Sequence, residues 1–175
     1  EARENYLKAI SLDKNSFALW NQLVLTLTDL KKYDELLKIT TEAIDLFPTQ
    51  PVFFLFNGIA NIQGKKYQEA VDILNRGVKL VVDNNSMLEL FYSNLGDAYY
   101  QMGKIADSDA CYDKTIEINP QNAYVLNNYG YYLSLRKQNL EKAEQMSKKA
   151  NEIEPDNSAF QDTYGWILYG LGRFE

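Results

Sequence analysis

The side chains best able to do chemistry in this chain are its 24 carboxylates and a single thiol, Cys111. On paper, Glu152 with Glu154 and Asp107 with Asp109 could form acid–base pairs. Such work needs one carboxyl held protonated by burial or by a close like charge. Residues two apart on a helix point to different sides, so both pairs read as solvated faces. A cysteine nucleophile needs a base, and the chain has no histidine, which removes the usual partner of a thiol or serine. Cys111 sits in Ala110-Cys111-Tyr112 and reads as a small buried group near a helix packing face. One thiol cannot close an internal disulfide or build a cysteine-based zinc site. No glycine-rich phosphate loop is present. Gly165 and Gly170 fall within a helical stretch, and Gly170-Leu171-Gly172 reads as its end. Asn84-Asn85-Ser86 fits a glycosylation acceptor, a triplet common by chance. The expectation is a non-enzymatic chain with no catalytic residues, no metal and no cofactor.

Charge narrows the partners. Lys and Arg total 18 against 24 Asp and Glu, a net charge of −6. An acidic chain repels phosphate backbones unless it carries a local basic patch. The densest basic runs are the pairs Lys31-Lys32, Lys65-Lys66 and Lys148-Lys149, each beside acidic residues, so no nucleic-acid partner is expected. The most apolar run is 51–62, PVFFLFNGIANI. It is far short of the roughly 20 residues a membrane-spanning helix needs, so no transmembrane segment is expected.

The elements that position these residues come from an internal repeat. Small or semi-small residues recur at Val24, Gly58, Gly96, Gly130 and Gly165. A second row runs Ala2, Leu36, Ala70, Ser108, Ala143, and a third runs Ala9, Ala43, Gly77, Thr115, Ala150. A closing row is Lys14, Pro48, Val82, Pro120, Pro155. All four rows keep step through the same irregular spacings. Each unit reads as a helix A carrying a small residue where its neighbour approaches, a Gly or Lys turn, and a helix B. Helix B opens at an anchor, namely Tyr33, Tyr67, Ile105, Leu140 or Phe174. Glycine suits the turn because it tolerates positive φ, and proline ends the unit because it cannot continue a helix.

The stretch 95–122, LGDAYYQMGKIADSDACYDKTIEINPQN, resembles the tetratricopeptide consensus almost throughout. The register covers the chain as one array: 1–14 as the helix B of a truncated repeat, repeats at 17–48, 51–81, 89–120 and 123–155, and 158–175 as the start of another truncated repeat. Both ends fall within helices, which predicts a longer array. Val82 replaces a closing proline and four extra residues fall within 82–90, predicting a longer helix or loop there. One extra residue in 136–140 predicts a slight kink. LNNYGYYLS at 126–134 and DTYGWILYGLGRFE at 162–175 resemble the last repeats of bacterial tetratricopeptide proteins, many of them exported or lipid-anchored. That likeness suggests a bacterial periplasmic or membrane-anchored setting, with the cytoplasm as the alternative.

The resemblance implies an all-α fold, a right-handed superhelical α-solenoid of antiparallel helix pairs, with helix A on the concave side and helix B on the convex. Carrying over that geometry gives three ridges: Asn21, Leu55, Ser93, Asn127, Asp162; then Leu25, Ile59, Asp97, Tyr131, Trp166; then Thr28, Ile62, Tyr100, Ser134, Tyr169. Asn94 and Asn128 lie beside the first ridge and resemble asparagines that grip a peptide backbone in the family, since an amide both donates and accepts. The N-terminal half of this face reads as apolar and the C-terminal half as polar and aromatic. The expected peptide-binding residues are Asn21, Asn94, Asp97, Tyr100, Asn127, Asn128, Tyr131, Asp162, Trp166 and Tyr169. Trp166 is expected to be the most buried of the aromatics, under a following helix. The ridges contain Asp97 and Asp162 but no Lys or Arg, so a clamp for an acidic C-terminus is not expected. A neutral or basic protein or peptide segment fits better. The implied function is a non-catalytic protein–protein interaction scaffold. The alternatives are a structural or oligomerisation spacer, or the non-catalytic repeat region of a larger enzyme.

Overall fold

The structure is a computed structural model that describes residues 1–173. Among them are ten helices and no strand: α1 (Ala2–Leu12), α2 (Phe17–Asp29), α3 (Tyr33–Leu46), α4 (Pro51–Gln63), α5 (Tyr67–Val78), α6 (Asn85–Gln101), α7 (Ile105–Ile118), α8 (Ala123–Leu135), α9 (Leu140–Ile153) and α10 (Ser158–Gly170). Phe174, expected to open a further helix, lies outside the described residues. The chain divides into two compact units, Glu1–Ser108 and Asp109–Glu175, with the boundary inside α7.

One turn recurs at the end of every even-numbered helix. Lys31 has φ 54°, Lys65 59°, Gly103 73°, Lys137 53° and Gly172 72°. After α2, the Lys32 amide donates to the Leu27 carbonyl and the Lys31 amide to that of Thr28. The same two bonds join Lys66 to Asn61 and Lys65 to Ile62, Lys104 to Tyr99 and Gly103 to Tyr100, Gln138 to Leu133 and Lys137 to Ser134, and Arg173 to Leu168 and Gly172 to Tyr169. This left-handed cap satisfies carbonyls that the helix end would otherwise orphan. It reverses the chain within three or four residues.

In the first unit each helix packs on the next from α1 to α6, and α4 also touches α2 and α6. The interior is built from Leu23, Val24, Leu27, Leu36, Phe53, Leu74 and Phe91, all buried. The small residues act as the repeat requires. A Cβ on Gly58 would stand 2.4 Å from Leu74, and one on Gly77 would meet Phe91 at 2.5 Å and Phe54 at 2.7 Å. Ser108 replaces the usual alanine of its row without harm, because its buried hydroxyl donates to the Gly96 carbonyl at 2.9 Å. Buried Asn57 is likewise satisfied: its amide donates to Thr40 Oγ1 at 3.0 Å.

In the second unit α8 pairs with α9, and α10 packs on both. Tyr112, Val125, Tyr129, Leu133, Ala143, Ala150 and Ile167 form its core. A Cβ on Gly130 would stand 3.0 Å from the Ala143 carbonyl oxygen.

The two irregularities of the repeat are absorbed differently. The four extra residues go into a loop after α5 and into the front of α6, a 17-residue helix capped by Asn84, whose side chain accepts from the Met87 amide at 2.9 Å. The single extra residue stays in the turn between α8 and α9. There Asn139 takes a second left-handed conformation, φ 48°, so the turn lengthens while the helices on either side keep their form.

Candidate functional site

Helices α2, α4, α6, α8 and α10 are the A helices of the repeat. None of the chain's 18 basic residues lies on them. Their only charged residues are Asp29, Glu89, Asp97 and Asp162. All Lys and Arg stand on the odd-numbered helices or in turns. The charge of the A-helix surface is therefore zero or negative in either unit.

The ten expected binding residues fall in two groups. Asn21, Asn94, Asp97 and Tyr100 belong to the first unit, and all four are half-buried. Asn94 turns its amide onto its own helix, donating to the Leu90 carbonyl at 2.8 Å. The apolar ridge of this unit is less available than its sequence suggests. Leu25 is exposed, but Leu55 is only 3% exposed, and Ile59 and Ile62 are partly covered. Leu55 belongs to the core because α4 is flanked on several sides, by α2, α3, α5 and α6.

The other six residues belong to the second unit. Asn127 is 7% exposed, and among the described residues no donor reaches its Oδ1. Its Nδ2 makes a long contact of 3.4 Å with Asn128 Oδ1. Asn128 is half-buried and Asp162 is exposed. Tyr131 is 38% exposed, Trp166 52% and Tyr169 66%. The Trp166 and Tyr169 rings stack at 6.2 Å with an interplanar angle of 30°. The helix expected to cover Trp166 lies outside the described residues. Among the described residues, its chain neighbour Gly165 likewise has nothing within 4 Å of an added Cβ.

Trp166 and Tyr169 form one wall of an open groove of about 470 Å³, completed by Ser134, Lys137, Leu140 and Gly170. Lys137 and Leu140 were not among the expected site residues. They come from the turn and the start of α9, and the left-handed cap carries them beside α10. The only sequence signal for this was the extra residue that lengthens that turn.

Elsewhere in the second unit, Lys142 Nζ bridges Asp113 at 3.1 Å and the Tyr129 hydroxyl at 3.3 Å, and it lies 4.6 Å from the centre of the Tyr129 ring. Burial, followed by the nearby Asp109 and Asp113 charges, raises the Tyr129 pKa above its ordinary value. Burial pulls Lys142 downward, but its bond to Asp113 and its contacts with Tyr129 outweigh this, so its net shift is upward. Both groups serve the packing of α7, α8 and α9. Cys111 is buried, as expected of a packing thiol. Among the described residues no cluster of three His, Cys, Asp or Glu could hold a metal, and no helix is long and apolar enough to cross a membrane.

Two tetratricopeptide repeat family models match the chain, at residues 90–122 and 111–145. A TPR repeat-containing protein of Methanocaldococcus jannaschii is 26% identical over 172 residues, which is 98% of this chain but 28% of that protein. The chain thus spans little more than a quarter of that relative. Among solved structures, YrrB, a TPR protein with an unusual peptide-binding site, superposes with a TM-score of 0.71 at 16% identity, over 99% of this chain and 87% of its own. The first TPR of Spaghetti (RPAP3), bound to the HSP90 peptide SRMEEVD, gives a TM-score of 0.62 at 20% identity, over 70% of this chain and 94% of its own. With the recurring helix pairs, their small-residue contacts and their left-handed turns, these matches identify tetratricopeptide repeats over residues 90–145, and the chain shares the fold of tetratricopeptide repeat proteins.

Proposed function

We propose that this chain is a non-catalytic protein-interaction scaffold that takes a peptide or protein segment on its A helices, and that the segment is neutral or basic. The observation that carries this reading is the absence of every Lys and Arg from the five A helices, alongside the exposed Tyr131, Trp166 and Tyr169. Exposed Trp and Tyr are favoured anchors because they bury much area while losing few rotamers. Helices without cations cannot pair with carboxylates. The Spaghetti (RPAP3) domain holds the peptide SRMEEVD, which carries three acids and one base. On the A helices themselves a ligand of that sign would meet only carboxylates among the charged groups. Asn127 and Asn128 supply amides for backbone recognition.

The test is capture of binding proteins by immobilised wild-type chain, set against a variant carrying Asn128→Ala, Tyr131→Ala and Trp166→Ala. Lys148→Ala, on an exposed face of α9, serves as the control. The triple variant should lose the captured proteins, with affinity falling by about tenfold or more. It should keep its helical circular dichroism and its urea midpoint, because none of the three residues is in the core. An identical set of captured proteins at undiminished yield would refute the assignment of the surface.

A further inference from the structure

An open groove of about 430 Å³ runs between two B helices of the first unit, α1 and α3, apart from the A-helix surface assigned above. Described helices bound it on both sides, and the bond from Arg3 Nε to Glu35 Oε1 at 2.7 Å ties them together. Ile10, Leu46 and, from α2, the buried Trp20 supply apolar lining. Glu42 and Asp45 also line it, three residues apart on one face of α3. Both are exposed, and neither makes an ion pair among the described residues. Lys14 is the single basic residue of the lining, which is therefore net negative.

The repeat itself shows what this position ordinarily holds. The residue before the third small-residue row is Lys8, Glu42, Arg76, Lys114 or Lys149, a cation in every unit but one. Four residues before the small-residue row of the A helices, the first three units carry an aromatic: Trp20, Phe54 and Tyr92. In the α4–α5 pair these two positions meet, and the Arg76 guanidinium lies over the Phe54 ring, 5.2 Å from its centre. In the α2–α3 pair the ring is Trp20 and a carboxylate, Glu42, stands where the cation would be. An aromatic face is electronegative, so Glu42 cannot take the part that Arg76 plays.

We propose that the groove between α1 and α3 is a seat for one arginine side chain of a partner protein segment, which supplies from outside the cation that Arg76 supplies to its own repeat. The guanidinium pairs with Glu42 and Asp45, and the aliphatic stem lies along Leu46 above the Trp20 floor. A planar, weakly hydrated guanidinium suits a seat that is half apolar and half carboxylate better than an ammonium does. An acidic side chain would be repelled by Glu42 and Asp45, and an apolar one would gain nothing from them. Lys14 limits the seat to a single cation.

The test uses three capped pentapeptides, GLRSG, GLQSG and GLESG, titrated into the intact chain while the two indole N–H resonances are followed. Trp20 Nε1 donates to the Lys14 carbonyl at 2.9 Å, and both residues line the groove, so the Trp20 resonance reports its occupancy. Trp166, on α10, reports separately on the A-helix surface. The Trp20 resonance should move with GLRSG at an affinity on the order of fivefold above GLQSG, with GLESG the weakest. Glu42→Arg supplies the cation from within the chain and should abolish the Trp20 response to GLRSG while the urea midpoint holds or rises. Asp45→Asn, at an exposed position, should narrow the preference for GLRSG over GLQSG, and it decides the matter if Glu42→Arg lowers the midpoint. Equal affinities for GLRSG and GLQSG, tightest binding of GLESG, or wild-type GLRSG binding in both variants would overturn the seat. So would movement of Trp166 alone, which would assign the peptide to the A helices and leave the function proposed above standing.

Discussion

Lysine at positive φ is an unusual choice, yet Lys31, Lys65 and Lys137 all occupy the left-handed cap that Gly103 and Gly172 fill elsewhere. An L-residue there brings its Cβ against the backbone, at a cost on the order of 1 kcal/mol. The hydrogen bonds of the cap are the same at all five turns, so the turn geometry is imposed by the helix pair and the residue yields to it. Replacing Lys31 or Lys65 by Gly should therefore stabilise the chain by about 0.5–1 kcal/mol, and Gly103→Ala should destabilise it by a similar amount. Urea denaturation of the three variants checks both signs. If Lys31→Gly destabilises, the lysine side chain contributes more than its backbone conformation costs. Asn127 is a second residue-scale feature: a buried amide whose oxygen meets no donor among the described residues sits on the surface assigned to binding.

Among the elements, the small-residue row of the A helices separates packing from function. Gly58 and Gly130 are approached closely by the next helix, whereas Gly165 meets nothing among the described residues. On a B helix, Gly77 of α5 is also closely approached, held between Phe91 and Phe54. Gly77→Ala should overpack that contact and cost about 1–3 kcal/mol. Gly165→Ala should relieve a helix-interior glycine without a clash and add about 0.5–1 kcal/mol. Thermal unfolding of the two single variants reads this opposition directly. A loss for Gly165→Ala comparable to that for Gly77→Ala would mean that α10 is more closely packed than described.

Over the whole molecule, charge is sorted by helix. The even helices carry only carboxylates, and the odd helices and turns carry all the cations. Some of those cations are used structurally, as in Arg136 with Asp109 at 3.0 Å and Lys142 with Asp113 at 3.1 Å. Tyr129 and Lys142 both have folded pKa values above their ordinary ones. The folded chain therefore holds these two protons more tightly than the unfolded chain does. That stability is complete below the unfolded values, about 10 for Tyr and 10.4 for Lys, and is lost as pH rises through the higher folded values. Urea midpoints should accordingly fall between about pH 9.5 and 11. Tyr129→Phe, which cannot ionise, should fall less over the same span. Parallel curves for the two proteins would mean that the Tyr129 proton contributes nothing to folding.

Much of this was legible in the amino-acid order. Helix pairing follows from small residues recurring in four rows that keep step, because each row marks a place where two backbones must approach. The lack of basic residues on the A helices is likewise a property of composition and register, so the sign of the surface was set by sequence. Exposure was decided by tertiary packing. Leu25 and Leu55 both stand on A-helix ridges, yet Leu55 is buried between neighbouring helices and Leu25 is exposed, because burial depends on which helices flank a position and a periodic pattern does not encode that. The groove of Ser134, Lys137, Leu140, Trp166, Tyr169 and Gly170 joins residues of α8, its turn, α9 and α10. Only the left-handed cap after α8 brings those separate segments together.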